Sequence, residues 1–182
     1  MSLIIAIDVG VKNLGLCVYN LVSNKVVFWE CVSLVPNGRY VPSNNVSYIH
    51  DFLSKYECFF ADAFVVLVER QMRANMRIIE SCLHFANYEK CVIINARSVK
   101  LHYDISAKNY RGNKAKAVEW ADLFTQNNAS IFIDKLVHNF TSSKKQDDLA
   151  DSLLMVMYYL DTYSAQTVSA SSDETVGPQD AV

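Results

Sequence analysis

The sequence predicts a single α/β domain, and three observations carry that expectation. Short apolar, β-branched runs at 3–9, 14–21, 25–34, 63–68 and 91–95 have the length and composition of strands. Segments with helical spacing of apolar residues separate the later runs, giving the order βββαβαβ followed by further helices. Acids stand at the ends of two central runs, Asp8 in LIIAIDVG and Glu69 in FVVLVERQ, and a second pair, Asp148 and Asp151, lies three residues apart in KKQDDLADSLL.

The first three runs are predicted to form antiparallel strands, the second and third joined by a turn at Ser23-Asn24. Pro36, Gly38 and Pro42 mark a loop, after which Ser43 or Asn44 caps a helix to about Tyr56 with Val46, Ile49, Phe52 and Leu53 on one face. Residues 63–68 (AFVVLV) are too short and too β-branched for a core helix and read as a central strand. From Met72 to Tyr88, the positions Met72, Met76, Ile79, Leu83 and Ala86 recur at helical spacing before a fifth strand, CVIIN. Residues 96–111 are expected to be a polar, basic connection, followed by a helix from Lys114 to about Asn127 and a second from Asp147 to Tyr163. The segment 164–182 has no apolar periodicity and is expected to be a disordered acidic tail behind a folded unit of residues 1–163.

Composition narrows the function classes. The chain has 182 residues, of which 51% are apolar and 20% charged, the balance of a globular domain able to bury a substantial core. No apolar run reaches the ~18 residues a membrane helix needs, and the start lacks the basic region and cleavage site of a signal peptide. A cytoplasmic protein with no membrane partner is therefore expected. The five cysteines are widely spaced and form no C-x-x-C pair, which predicts small buried hydrophobes rather than a disulfide framework or a zinc site.

The net charge of −2 hides an uneven distribution. The tail after Tyr163 holds Asp173, Glu174 and Asp180, so residues 1–163 keep 16 of the 19 acids against all 17 bases. Six bases (Arg97, Lys100, Lys108, Arg111, Lys114, Lys116) fall within 97–116 against one acid, Asp104. Local rather than total charge meets phosphate, so these residues, with Lys144 and Lys145, are the candidate DNA-binding set. His102, Tyr103 and Tyr110, interleaved with them, are candidates for stacking on exposed bases.

The acids carry the chemistry. Ligands of open α/β sheets gather at the ends of central strands, where Asp8 and Glu69 are placed. Asp148 and Asp151 share one helix face, and Asp151 lies on the stripe of Leu154, Met155 and Tyr158 that should be buried, where a carboxylate needs a partner. Hard divalent cations bind through such oxygens, and two of them clamp the attacking and leaving oxygens of a phosphodiester displacement, so a metal-dependent nuclease is expected. The D-x-G after the first strand also resembles the phosphate motif of sugar kinases and actin, with Gly10 and Gly15 fitting both readings. That group needs a duplicated half with a second D-x-G, which this chain lacks, so no nucleotide cofactor is expected.

The stretches IAIDVGVKNLGLCVY, VLVERQMRAN and KKQDDLADSLL, in this order over residues 1–163, resemble the poxvirus Holliday junction resolvases. Those enzymes are relatives of bacterial RuvC and fungal mitochondrial resolvases in the RNase H-like superfamily. The resemblance implies an RNase H-like fold with a mixed five-stranded sheet in order 3-2-1-4-5 flanked by helices. It implies two magnesium ions per site, with manganese as substitute, held by Asp8, Glu69, Asp148 and Asp151. Asp147 competes with Asp148 for the third position, and the catalytic lysine of RuvC falls on Lys114 or Lys116. It further implies a homodimer, with helix 72–88 as candidate dimer surface, cutting four-way DNA junctions to 5′-phosphate and 3′-hydroxyl ends, in viral concatemer resolution in the host cytoplasm. Two rival expectations remain, a nuclease of RNA·DNA hybrids and a catalytically silent junction-binding protein.

Overall fold

Five strands form one mixed sheet in the order β3-β2-β1-β4-β5. The computed structural model describes residues 1–35, 38–133 and 135–170, and the side chains of these up to residue 162. β1 (Leu3–Asp8), β2 (Leu14–Asn20) and β3 (Lys25–Val32) run antiparallel in succession. The β2–β3 turn uses Asn24 at φ 53, as the Ser23-Asn24 pair predicted, with the Asn20 side chain accepting from the backbone of Val22 and Ser23. After a 3-10 turn at Pro42–Asn44, α1 (Asn45–Lys55) and a short α2 (Glu57–Ala61) lead to β4 (Ala63–Glu69), parallel to β1. Next come α3 (Ala74–Ala86) and β5 (Cys91–Ile94), parallel to β4. α4 (Ala96–His102), α5 (Tyr110–Asn127), a 3-10 turn at Ala129–Ile131, α6 (Leu136–Ser142) and α7 (Gln146–Ala170) complete the described chain.

Side chains alternate across a strand, so each strand serves two cores. Leu3, Ile5 and Ile7 of β1 and Val66 and Val68 of β4 pack with Ile49, Phe52 and Phe60 of α1 and α2 and with Ile79 and Leu83 of α3. Ile4 and Ala6 of β1, Cys17 and Tyr19 of β2, and Val65 and Leu67 of β4 face the opposite way, onto α4 to α7. The layers are helix, sheet, helix, which explains why β1, β2 and β4 read as continuous apolar runs.

α7 is the keel of the second layer. Residues Ser152 to Met157 are buried in succession, and the Trp29 indole of β3 donates Nε1–H to the Leu149 carbonyl at 2.9 Å. Trp29 also stacks on Phe140 of α6, ring centroids 4.7 Å apart and nearly parallel.

Several boundaries differ from the sequence expectation. Residues 96–111 are largely helical: Asn95 caps α4 by accepting from the Arg97 N–H, and Asn109 caps α5 by accepting from the Gly112 N–H, so α5 begins four residues before Lys114. α2 and α6 were not predicted, because helices of one or two turns bury only one or two side chains, here Phe60 in α2 and Leu136 and Phe140 in α6, too few to establish a period. α7 runs past Tyr163 to Ala170, since extending an existing helix needs no new nucleus. The remainder of the expected tail, 171–182, lies outside the described residues. Of the cysteines only Cys17 is fully buried, Cys31, Cys82 and Cys91 are half-buried, and Cys58 is exposed, because the outer strands and helices that carry them each have an open side. Among the described residues no helix is long and apolar enough to cross a membrane.

Removing the Phe140 ring from beside Trp29 should leave a cavity that rigid neighbours cannot fill. Phe140→Ala is expected to cost about 3–5 kcal/mol in urea unfolding, with little change in the m value.

Candidate active site

The strand parity that builds the second core also aims the acids. Asp8 follows Ile4 and Ala6 on β1, and Glu69 follows Val65 and Leu67 on β4, so both carboxyls emerge on the α7 face at the carboxyl ends of neighbouring parallel strands. α7 brings its first turn to the same point. Gly15, paired with Asp8 across the β1–β2 ladder, makes that approach possible: a Cβ there would stand 2.1 Å from the Asp148 carbonyl oxygen. Gly10 serves the tight turn after β1, where a Cβ would meet the Asn13 carbonyl at 2.1 Å.

The four expected acids thus sit within electrostatic reach of one another. Burial pushes the Asp8 carboxyl well above the usual carboxylate range, and the charges of Glu69, Asp151 and Asp148 push it further. After burial, Glu69 is the neighbour that weighs most on the Asp8 carboxyl. Asp151 is raised by burial, opposed by Lys100 and reinforced by Glu69, and Asp148 is raised by burial despite nearby Lys114. Asp147 behaves oppositely. Burial alone would raise it, but the Lys114 ammonium it accepts from holds it below the ordinary value. Asp148 is among the charges that raise Asp8.

Lysines line the cluster. Lys100 of α4 lies 3.1 Å from Asp151 with both side chains nearly enclosed, Lys114 of α5 reaches Asp148 at 3.3 Å as well as Asp147, and Lys145 stands 3.7 Å from Asp148. Hydrogen bonds to Asp147 and Tyr110 raise the Lys114 ammonium against the opposing effect of burial, so it stays charged. Three members of the expected DNA-facing set are therefore turned onto acids, because the cluster's negative field draws in the cations that α4, α5 and the α7 entry bring near it. Lys100, at 14% exposure, is the clearest correction. Lys116 stays at the surface with its ammonium on the Ser106 carbonyl at 3.0 Å, so of the two candidate lysines Lys114 is the one at the acids. Arg97, Lys108, Arg111 and Lys144 are exposed. His102 and Tyr103 are not free stacking groups: both bind Asp161, and Tyr103 packs on Trp120. Tyr110 is exposed, its ring centroid 5.3 Å from the Lys114 ammonium.

Two contributors had no sequence signal of their own. Cys31 pairs with Gly15 in the same row as Asp8, and burial together with Asp148 and Asp8 pushes its thiol up to about 12, keeping it neutral. Gln71 donates to Glu69 Oε2 at 2.8 Å. Strand register identifies the first, but only once the pairing is known.

The donor set suits a hard divalent cation, since it offers carboxylate oxygens alone and more negative charge than the site can keep ionised. Among the described residues no three His, Cys, Asp or Glu side chains are grouped so as to hold a metal ion as they stand. The ammonium groups of Lys100 and Lys114 take those contacts instead, and a cation would have to replace some of them.

The sheet order is that of the RNase H-like fold found in junction resolvases. A family model described as Poxvirus A22 protein matches residues 2–162, and the chain belongs to that family. Its structure is similar to that of the Fowlpox virus resolvase in complex with substrate Holliday junction DNA, with TM-score 0.65 and 18% identity over 88% of this chain and 98% of that one. It is also similar to the yeast mitochondrial Holliday junction resolvase Ydc2 (TM-score 0.57, 20% identity, 83% and 75% covered) and to Thermus thermophilus RuvC in complex with Holliday junction substrate (0.53, 14%, 89% and 96%). At these identities the likeness is one of fold. A curated relative, Uncharacterized protein 97L of Invertebrate iridescent virus 3, is 29% identical over 122 residues, 61% of this chain and 55% of the relative. The chain thus spans about half the length of that relative.

Asp8 binds its proton more tightly folded than unfolded. It therefore lowers stability progressively as pH rises above the ordinary value of 3.8, and the full cost is present above its folded value. Asp8→Asn removes that cost. The metal-free variant is expected to melt above the wild type at pH 8, by roughly 2–4 °C for each kcal/mol relieved, with the difference closing as pH falls towards 4. A variant that melts lower at pH 8 would contradict the electrostatic reading.

Proposed function

We propose that this protein is a structure-selective DNA endonuclease that resolves four-way and related branched DNA junctions by metal-dependent phosphodiester hydrolysis. The observation that carries the reading is the Asp8 carboxyl, buried against Glu69, Asp148 and Asp151 at the carboxyl ends of β1 and β4. Membership of the Poxvirus A22 protein family and a fold shared with junction resolvases support the same substrate class.

Asp8, Glu69, Asp148 and Asp151 would hold the magnesium ions, with manganese as substitute. Held there, the ions would supply a water nucleophile at neutral pH and charge to stabilise the departing 3′-oxygen, consistent with a 5′-phosphate product. Lys114, on the edge of the acids, places a permanent positive charge where the scissile phosphate would lie. The exposed Arg97, Lys108, Arg111, Lys116 and Lys144 would hold the junction arms through phosphates, which selects shape over base sequence and makes affinity fall with salt. The setting would be viral concatemer junctions in the host cytoplasm.

A junction with near two-fold symmetry calls for two copies of the site. The proposed partner is therefore a second copy of this chain, seated on the apolar groove of about 640 Å³ between α1 and α3. Val46 of α1 is exposed there together with Ile78 and Phe85 of α3, the helix that the sequence marked for this role.

The test is cleavage in magnesium of an immobile four-way junction, a linear duplex of the same arms and an RNA·DNA hybrid, with light scattering of the same preparation. Paired nicks in the junction alone, lost in Asp8→Asn, from a species of two chains, are expected. Cleavage of the hybrid alone would replace the reading with an RNase H activity, and junction binding without cleavage in magnesium or manganese would replace it with a silent binder.

A further inference from the structure

Glu69 is held differently from the acids of α7. Lysines hold Asp147, Asp148 and Asp151, whereas Glu69 is held by a neutral amide. Gln71 lies two residues past Glu69, where the chain has left β4 and not yet entered α3. Its Nε2 donates to Glu69 Oε2 at 2.8 Å and to the Glu69 carbonyl at 3.4 Å. Its own backbone N–H donates to Glu80 Oε2 at 2.6 Å, a carboxylate inside α3. The backbone N–H of Arg70 is fixed in turn to the Ile94 carbonyl of β5 at 2.8 Å. The segment 69–71 is therefore pinned on one side by β5 and on the other by α3.

The chemistry of the donor matters. A glutamate at a strand end has a long side chain with rotamer freedom to lose. An ammonium on it would fix its orientation but also cancel the charge a cation needs. An amide fixes one oxygen and leaves both the negative charge and the second oxygen available, and outer groups of this kind commonly set metal affinity. Glu80 bonds to the Gln71 backbone and the Gln71 amide to Glu69, so their effect runs through Glu69.

We propose that Gln71 is a positioning residue that orients the Glu69 carboxylate, and that Glu80 anchors Gln71, so that helix α3 sets the direction of one of the four acids. This rests on the reading of Glu69 as a metal-holding acid. It ties the helix bearing the exposed apolar face to the site by two hydrogen bonds in series, Glu80 to the residue 71 backbone and the residue 71 side chain to Glu69.

The test follows manganese-dependent stabilisation of the DNA-free protein by its melting temperature, beside single-turnover junction cleavage and junction affinity. The proteins are wild type, Gln71→Ala, Glu80→Ala, Glu80→Gln and the double Gln71→Ala/Glu80→Ala. Gln71→Ala and Glu80→Ala are expected to raise the manganese midpoint about tenfold, with metal-free melting and junction affinity close to wild type. The double variant should be no worse than Gln71→Ala alone, because the two act in series. Glu80→Gln, whose amide oxygen still accepts from the residue 71 N–H, should lie within about twofold of wild type. An unchanged midpoint in Gln71→Ala overturns the proposal, and additive shifts in the double variant overturn the series connection. If Glu80→Ala fails to fold, Gln71→Ala and Glu80→Gln decide it. A wild-type protein that shows neither manganese stabilisation nor cleavage would sink the nuclease reading itself. A wild type that shows both beside an unaffected Gln71→Ala sinks only this inference.

Discussion

Four carboxyl groups meet at the carboxyl ends of β1 and β4 with Asp8 buried among them, and like charges that close in a water-poor site cannot all ionise. Every neighbouring feature answers that repulsion. Lys100 and Lys114 lean onto Asp151, Asp148 and Asp147, and Cys31 is kept as a neutral thiol. These arrangements relieve the charge only in part, since Asp8, Asp148 and Asp151 all remain raised. On the proposed reading, divalent cations arriving with a phosphodiester would supply the positive charge that the lysines do not.

The fold bears the cost of assembling such a cluster through apolar packing. The acids on α7 are followed by a helix buried nearly all round, locked to β3 by the Trp29 to Leu149 hydrogen bond and by Phe140 stacking on the same indole. Gly15 removes the side chain that would keep the first turn of α7 away from β1. The hydrophobic layer thus forces together groups that would separate if left to themselves, the usual exchange of stability for function at a site.

Much of this was legible in the sequence, for identifiable reasons. The five strands announced themselves because each of the central ones is buried on both faces and so reads as an unbroken apolar run. Asp8 and Glu69 stood out because an acid ending such a run has nowhere neutral to go, and Asp151 because it interrupts an apolar stripe. The lysine pairings were not legible. Lys100 joins Asp151 across 51 positions, and the helix that carries it was hidden in a basic stretch whose only start signal is the Asn95 cap. The short helices α2 and α6, and the hold of Gln71 on Glu69, likewise depend on contacts between distant or aperiodic residues that carry no local pattern.

The central claim, that burial and the neighbouring carboxylates hold the Asp8 carboxyl well above its ordinary range, is tested most directly by a carbon-detected NMR titration of the carboxyl groups with and without magnesium. The account predicts an Asp8 midpoint well above 3.8 in the metal-free protein that falls sharply when magnesium is added, with Asp148 and Asp151 responding in the same titration. An Asp8 that titrates near 3.8 and ignores magnesium would contradict it.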